Sequence, residues 1–317
     1  VPISDQLAIF NQLSNQIKEK ELQRVQLAPS NLHWLSDKAL ELIGTLSEEL
    51  NVPMHAHMLE TPYQWEYARR RCGGSAVNYF RELGLLNQRL TIGHGVWMDQ
   101  SDIELCKEAG CHICHNCSSN LRLKSGTAPI NRFVDSGIPV AIGIDEAGIN
   151  DDRDMFQEMR LALNIHREPG FQNLPINARQ IFKMATENGA NTTPFSSYIG
   201  SLLPGKAADI VLLDWKEVTW PYQNSDLGLV DIIVRRACTS GVKSVLIGGE
   251  LVFENGKFTN MDRASVTQQI IEALSNPLNS SEVERKKMSE DILPYVQKFY
   301  DDYRLPNNFN RYRYGLF

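Results

Sequence analysis

A chain of 317 residues that is 42% hydrophobic and 22% charged has room for one large domain and a smaller appendage, and its composition excludes a disordered or fibrous protein. A net charge of −6 and a pI near 5.7 provide no basic field, so nucleic-acid backbone binding is not expected and any nucleobase-like ligand should be free. No apolar run approaches the length of a membrane span and no charged-then-apolar leader opens the sequence, so a cytoplasmic location is expected.

In chain order, short apolar runs alternate with stretches of helical periodicity from residue 24 to about 218, the pattern of strand–helix units around a parallel sheet. A helix over 4–20 precedes the first strand, "RVQLAP" (24–29). A helix opening at Ser36 then leads to "VPMHAHM" (52–58). One helix over 64–83 separates this from "LTIGHG" (90–95), and another, capped by Asp99, precedes "CHICHN" (111–116). A helix closing at Gly137 leads into "IPVAIGID" (138–145), and helices follow over 151–166 and 176–190. The character then changes. "GSLLPGKAADIVLLD" turns into a strongly apolar strand, and "VKSVLIGGELVFENGKF" reads as two strands joined at Gly248–Gly249, a small β element. Residues 261–317 read as two helices, the second opening at Ser281 with Glu284 as its capping box and bent at Pro294. The terminal "NNFNRYRYGLF" reads as a docking arm against its own body or a neighbouring subunit.

Polar residues recur where these strands end: Asn31 and His33, His57 and Glu60, His94, His115 and Asn116, Asp145 and Glu146. In parallel α/β folds, and in (β/α)8 barrels above all, that edge carries the active site. His55 and His57 share one face of their strand. Such a pair is either a hydrogen-bonded part of the core or one wall of a metal site. Imidazole and carboxylate ligands suit Zn2+ or Fe2+, and Glu60, three residues past His57, is placed to act on a metal-held water as a general base. The six cysteines are too sparse for a disulfide framework and fit a reducing compartment. Cys111, Cys114 and Cys117 have the spacing of a zinc knuckle but no second ligand pair, so this stretch is read as a buried strand.

The ordered motifs "HAHMLET", "GHGVWMDQSDIELCKEAG", "HNCSSNLRLKSGTAPI", "VAIGIDEAG" and "GSLLPGKAADIVLLD" resemble the amidohydrolase superfamily, in its branch of cytosine, guanine and S-adenosylhomocysteine deaminases and triazine chlorohydrolases. The likeness extends over about residues 24–255. It implies a (β/α)8 TIM-like barrel and one Zn2+ or Fe2+ per active site, with His57, Asp145 and His94 as metal residues. Glu60, His94 and Asp145 would be catalytic, and His94 and Asn120 would contact substrate. The implied activity is deamination of an aminated purine, pyrimidine, pterin or triazine by a metal-dependent hydrolase. A cyclic amide hydrolase and a catalytically incompetent fragment are the alternatives, and a homodimer is allowed.

Two features depart from the family pattern. No strand-1 H-x-H precedes the barrel strands, and the roughly 90 residues between His57 and Asp145 are too few for strands 1 to 8 of a barrel of about 250 residues. The His55–His57 strand is therefore expected to be strand 5. The barrel is expected to be incomplete at its N-terminal side, with strands 4–8 in residues 1–203, a return to a small β-sandwich domain in 204–260 and a helical extension in 261–317. The chain on its own is then expected to have little activity. The second departure is Glu146, a carboxylate where the family carries a small residue; it either faces solvent or binds substrate by recognising an amino or ring N–H group.

Overall fold

The computed structural model describes residues 2–149, 152–171 and 176–303. Helix α1 (Ile3–Ile17) precedes α2 (Asp37–Leu50), which starts where Ser36 accepts from the Ala39 amide and stops at Asn51 in a left-handed conformation. Strand β1 (Met54–Met58) follows, then α3 (Pro62–Cys72) and α4 (Ala76–Glu82). The single helix expected over 64–83 is thus two, because Gly73 adopts φ 69° and Ser75 caps a new start. Next come β2 (Leu90–His94), α5 (Gln100–Ala109) with a full Asp99–Asp102 capping box, and β3 (His112–His115). They are followed by α6 (Cys117–Arg122), α7 (Ile130–Asp135), β4 (Val140–Ile142), α8 (Met155–Ile165), α9 (Ala178–Ala185) and α10 (Glu187–Asn191). The stretch expected as one helix over 176–190 breaks at Thr186, whose backbone leaves the helical region.

Strands β1 to β4 pair in parallel in sequence order, each strand beside its successor. This is the arc of a barrel, with its C-terminal strand ends on one edge. The strand expected over 24–29 shrinks to one bridge, Leu27 with Met54. Pro29 has no N–H for a ladder, yet the segment still tracks β1, since His55 N donates to Leu27 O and His57 N to Ser30 O. The apolar faces of the sheet and its helices close over one core that includes Phe80, Ile92, Ile113 and Phe133, each 1% exposed or less.

A second sheet is antiparallel, in the order β5 (Ile210–Leu213), β6 (Val242–Ile247), β7 (Glu250–Glu254), β8 (Lys257–Phe258). Helices α11 (Trp215–Thr219) and α12 (Leu229–Arg236) lie between β5 and β6. Residues 242–258 hold three strands, not two, because Asn255–Gly256 makes a second positive-φ turn after Gly248–Gly249. The tail forms α13 (Arg263–Ser275) and α14 (Ser280–Tyr300). The cap of α14 is Asn279 with Glu282, not Ser281 with Glu284: the Asn279 side chain accepts from Glu282 N, and Glu282 Oε2 accepts from Asn279 N. Pro294 lies inside this one continuous helix. The arm expected over 307–317 falls outside the described residues. No helix among those described is long and apolar enough to cross a membrane.

Candidate active site

The ends of β1, β2 and β4 bring His57, His94 and Asp145 together, with one ligand atom from each lying within 4.8 Å of the others. Three residues beside these ends, Leu59 (φ 51°), His94 (φ 73°) and Asp145 (φ 62°), hold left-handed backbone without being glycine. That costs about 1–2 kcal/mol each and clusters where a backbone is held for function. Glycine is required at 143, since a Cβ there would meet Asn116 Oδ1 at 2.5 Å and Cys114 Sγ at 2.9 Å. The extended chain expected over 138–145 therefore ends at Ile142, and the last three residues turn to present Asp145.

Hydrogen bonds fix how each group points. His57 Nδ1 lies 3.1 Å from Ser30 O, and a carbonyl only accepts, so Nδ1 carries the proton and Nε2 faces Asp145 Oδ1 at 4.0 Å. His94 Nδ1 meets Asn120 Oδ1 at 2.8 Å, and its Nε2 lies 3.9 Å from Asp145 Oδ2 and 4.0 Å from Glu60 Oε2. The two imidazoles stack with centroids 5.3 Å apart. His94 Nε2 is fully buried and has no hydrogen-bond partner among the described residues. Ser119 Oγ donates to Asp145 Oδ2 at 2.5 Å. Glu60 is held from both sides, by Ser125 Oγ on Oε1 at 3.1 Å and by Gln64 Nε2 on Oε2 at 3.3 Å.

An orphaned, buried imidazole nitrogen beside a second imidazole and a carboxylate is the donor set of a zinc-type ion, so the residues present fit a divalent metal. Glu60 stands beside this group without being one of its three donors. The two readings of the histidine pair divide between its members. His57 faces the cluster. His55 packs beneath it against Gly93, and burial, with His57 and His94 adding to it, pushes its pKa down to about 4.

Asn120 touches His94, whereas Glu146 is exposed on the loop after β4, where its carbonyl accepts from Ile149 N. The three clustered cysteines do not converge. Cys111 Sγ donates to Cys106 O and Cys114 Sγ contacts Asn116 Oδ1, while Cys117 lies by His115 and His166. Burial pushes the Cys114 and Cys117 thiols up to about 12, so both stay protonated. Ser30 and Gln64 carry no sequence signal as site residues, and Ser125, though inside the motif "HNCSSNLRLKSGTAPI", carries none that points to Glu60. Ser119 falls within the "SSN" motif but is visible as a partner of Asp145 only in three dimensions.

Residues 4–252 match the model of the amidohydrolase family. The chain belongs to that family. It is 34% identical over 242 residues to a 5-methylthioadenosine/S-adenosylhomocysteine deaminase of Syntrophomonas wolfei, covering 76% of this chain and 56% of that protein. It is 32% identical over 246 residues to a 5'-deoxyadenosine deaminase of Methanopyrus kandleri, covering 78% and 56%. The chain thus spans little more than half the length of these relatives. Among solved structures, a zinc-bound adenosine deaminase from Xanthomonas campestris superposes with a TM-score of 0.78 at 27% identity, covering 84% of this chain and 60% of that one. An atrazine chlorohydrolase from Arthrobacter aurescens superposes with a TM-score of 0.79 at 22% identity, covering 86% and 60%, which speaks for the amidohydrolase barrel alone. The four-stranded parallel arc is part of that barrel fold.

Proposed function

We propose that the protein hydrolyses a carbon–nitrogen bond in an amino-substituted heterocycle, releasing ammonia, with an adenine-type ring as the substrate class. The observation that carries this reading is the buried, unpartnered Nε2 of His94, about equally distant from Glu60 and Asp145. The two adenosine-derivative deaminases at 32–34% identity support the choice of ring. Zinc is the proposed metal, held by His57, His94 and Asp145, and when bound it makes water acidic enough to attack at neutral pH.

The chain's own residues do the rest. Glu60 takes a proton from the attacking water as its oxygen adds to the ring carbon, then delivers a proton to the adjacent ring nitrogen. Ser125 and Gln64 keep its two oxygens aimed. Asp145, as a second base, takes the remaining proton from the added hydroxyl and passes it to the amine, which leaves as ammonia while the ring carbon becomes a carbonyl. His94, oriented by Asn120, positions water and substrate. Glu146 at the rim contacts the substrate's polar edge. A cytoplasmic location and a homodimer belong to the same proposal.

The test is a panel of amino-heterocycles given to the zinc-loaded protein as its cell makes it, read by ammonia release. Ammonia from adenine-type rings is the expected result. Ring opening without ammonia would transfer the assignment to a cyclic amide hydrolase.

A further inference from the structure

The family match ends at residue 252, and the chain continues as α13 and α14, neither of which buries a residue. The far end of α14 returns to the barrel. There Arg70 grips the Asp302 carboxylate through Nη1 at 3.0 and 3.1 Å, donates to Asp302 O at 2.8 Å, and lies 4.2 Å from the Tyr303 ring centroid. Tyr300 is thereby set against Tyr63, with ring centroids 4.9 Å apart, and 6.2 Å from His33.

This docking borders an open cleft of about 630 Å3 that Asn31, His33, Trp34, Tyr63, Gln64 and Tyr300 line. It adjoins the candidate active site. Gln64 also holds Glu60, and Asn31, His33 and Gln64 line a small gap that His57 borders on its other side. Four rings, those of His33, Trp34, Tyr63 and Tyr300, share the lining with amide, hydroxyl and carboxylate groups. His33 stacks on Tyr67 at 3.9 Å, burial and the nearby Arg71 keep it uncharged near neutral pH, and the faces of Trp34 and Tyr63 are open to a ligand. Among the described residues no lysine or arginine lines the cleft, and Asp301 supplies a carboxylate to it. Such a wall favours an apolar or aromatic group and disfavours a phosphate.

We propose that the C-terminal extension, through Tyr300, closes a specificity subsite beside the reacting centre, which takes an uncharged apolar or aromatic substituent of the substrate heterocycle. This rests on the deaminase reading for its kinetic arm only. With zinc-loaded protein and a series of adenine, 5'-methylthioadenosine and adenosine 5'-phosphate, Tyr300→Ala is expected to raise KM for 5'-methylthioadenosine about tenfold with kcat within about twofold. For adenine, kcat/KM should stay within about twofold, and Tyr300→Phe should restore the KM. Adenosine 5'-phosphate should bind more weakly than 5'-methylthioadenosine.

Equilibrium dialysis with 5'-methylthioadenosine reads the subsite even if no ammonia is released, so failure of the deaminase assignment and failure of the subsite are separable. Trp34→Ala, elsewhere in the same lining, and Arg70→Ala, which frees the latch, should weaken retention in the same direction, so the result does not hang on one variant's folding. Equal retention by wild type and these variants, no retention by wild type, or an equal loss for adenine would overturn the proposal.

Discussion

The two sheets of this chain use similar residues and meet opposite conditions. In the parallel sheet Met54, Ile92, Ile113 and Val140 are 1% exposed or less, because helices cover the strands and one core joins them. In the antiparallel sheet Val211 and Leu212 are half exposed, and Ile247 and Leu251 nearly so. Among the described residues the buried cluster near it is Val218, Ile232 and Ala237. The difference explains where chemistry can be held. Left-handed backbone at His94 and Asp145 and an orphaned imidazole nitrogen are tolerable only where surrounding packing over-determines them. The second sheet has no such surroundings among the described residues.

The largest expected effects fall on the edge of the first sheet. His57→Ala and Asp145→Ala should each abolish stoichiometric zinc, read by metal analysis of the purified protein. Glu60→Gln should keep zinc while lowering turnover at least ~100-fold, since it removes proton transfer but neither imidazole nor the third donor. Zinc retained in full by either alanine variant would remove that residue from the ligand set.

Next is a matched pair of core truncations. Phe133, fully buried against the parallel sheet, should cost about 3–5 kcal/mol on substitution by alanine. Phe253, half-buried and packed edge-on to Phe258 at 5.4 Å, should cost about 1 kcal/mol. Urea unfolding of both variants measures the contrast, and equal losses would mean that the second sheet shares the first one's core.

How much of this was legible in the sequence follows the same division. The four parallel strands were readable because their apolar runs are short and bounded, and the grouping of His57, His94 and Asp145 because each lies at or just past the C-terminal end of one of them. The first expected strand was not, since Pro29 reduces it to a bridge while Ser30 O still takes both the backbone N–H and Nδ1 of His57. Long-range partners leave no local trace: nothing near Ser125 in sequence says that it donates to Glu60, 65 positions away. Helix breaks at Gly73 and Thr186 were hidden by periodicity that continues across them. At α14 two Asn/Ser-x-x-Glu patterns overlap, and the earlier one wins because Asn279 has the extended backbone a cap needs.

A smaller effect depends on pH. Asp102 closes the capping box of α5 and accepts from Ser75 Oγ, and burial pushes its carboxyl up to about 6 from 3.8, the Ser75 bond opposing in part. A folded-state pKa above the unfolded one favours the folded state below pH 4, and that contribution is lost as pH rises through 6. A shift of this size corresponds to about 3 kcal/mol. Asp102→Asn keeps a side-chain acceptor but cannot ionise, so the stability of wild type relative to the variant should fall between pH 4 and 6 and then level off. A difference that stays constant from pH 4 to 7 would show that the carboxyl is hydrated and that α5 packs less tightly than described.

The smallest stability change is expected where the contrast between the sheets is sharpest. Val211 points an apolar side chain outward from β5, and Leu212 beside it is also half exposed, so the strand is apolar on both faces with little covering either. Substitution at such a position removes few contacts and should change unfolding free energy by no more than about 0.5 kcal/mol. Its effect on association should be much larger, because a contiguous apolar face on a sheet is a surface for self-contact. Val211→Lys places a charge in that face at little cost to the fold. In the 317-residue chain, sedimentation velocity should then show a shift from associated species towards monomer, with the urea midpoint unchanged. A variant that unfolds more than about 1 kcal/mol more easily would show instead that Val211 is covered in the folded chain, and the sheets would differ less than their exposures say.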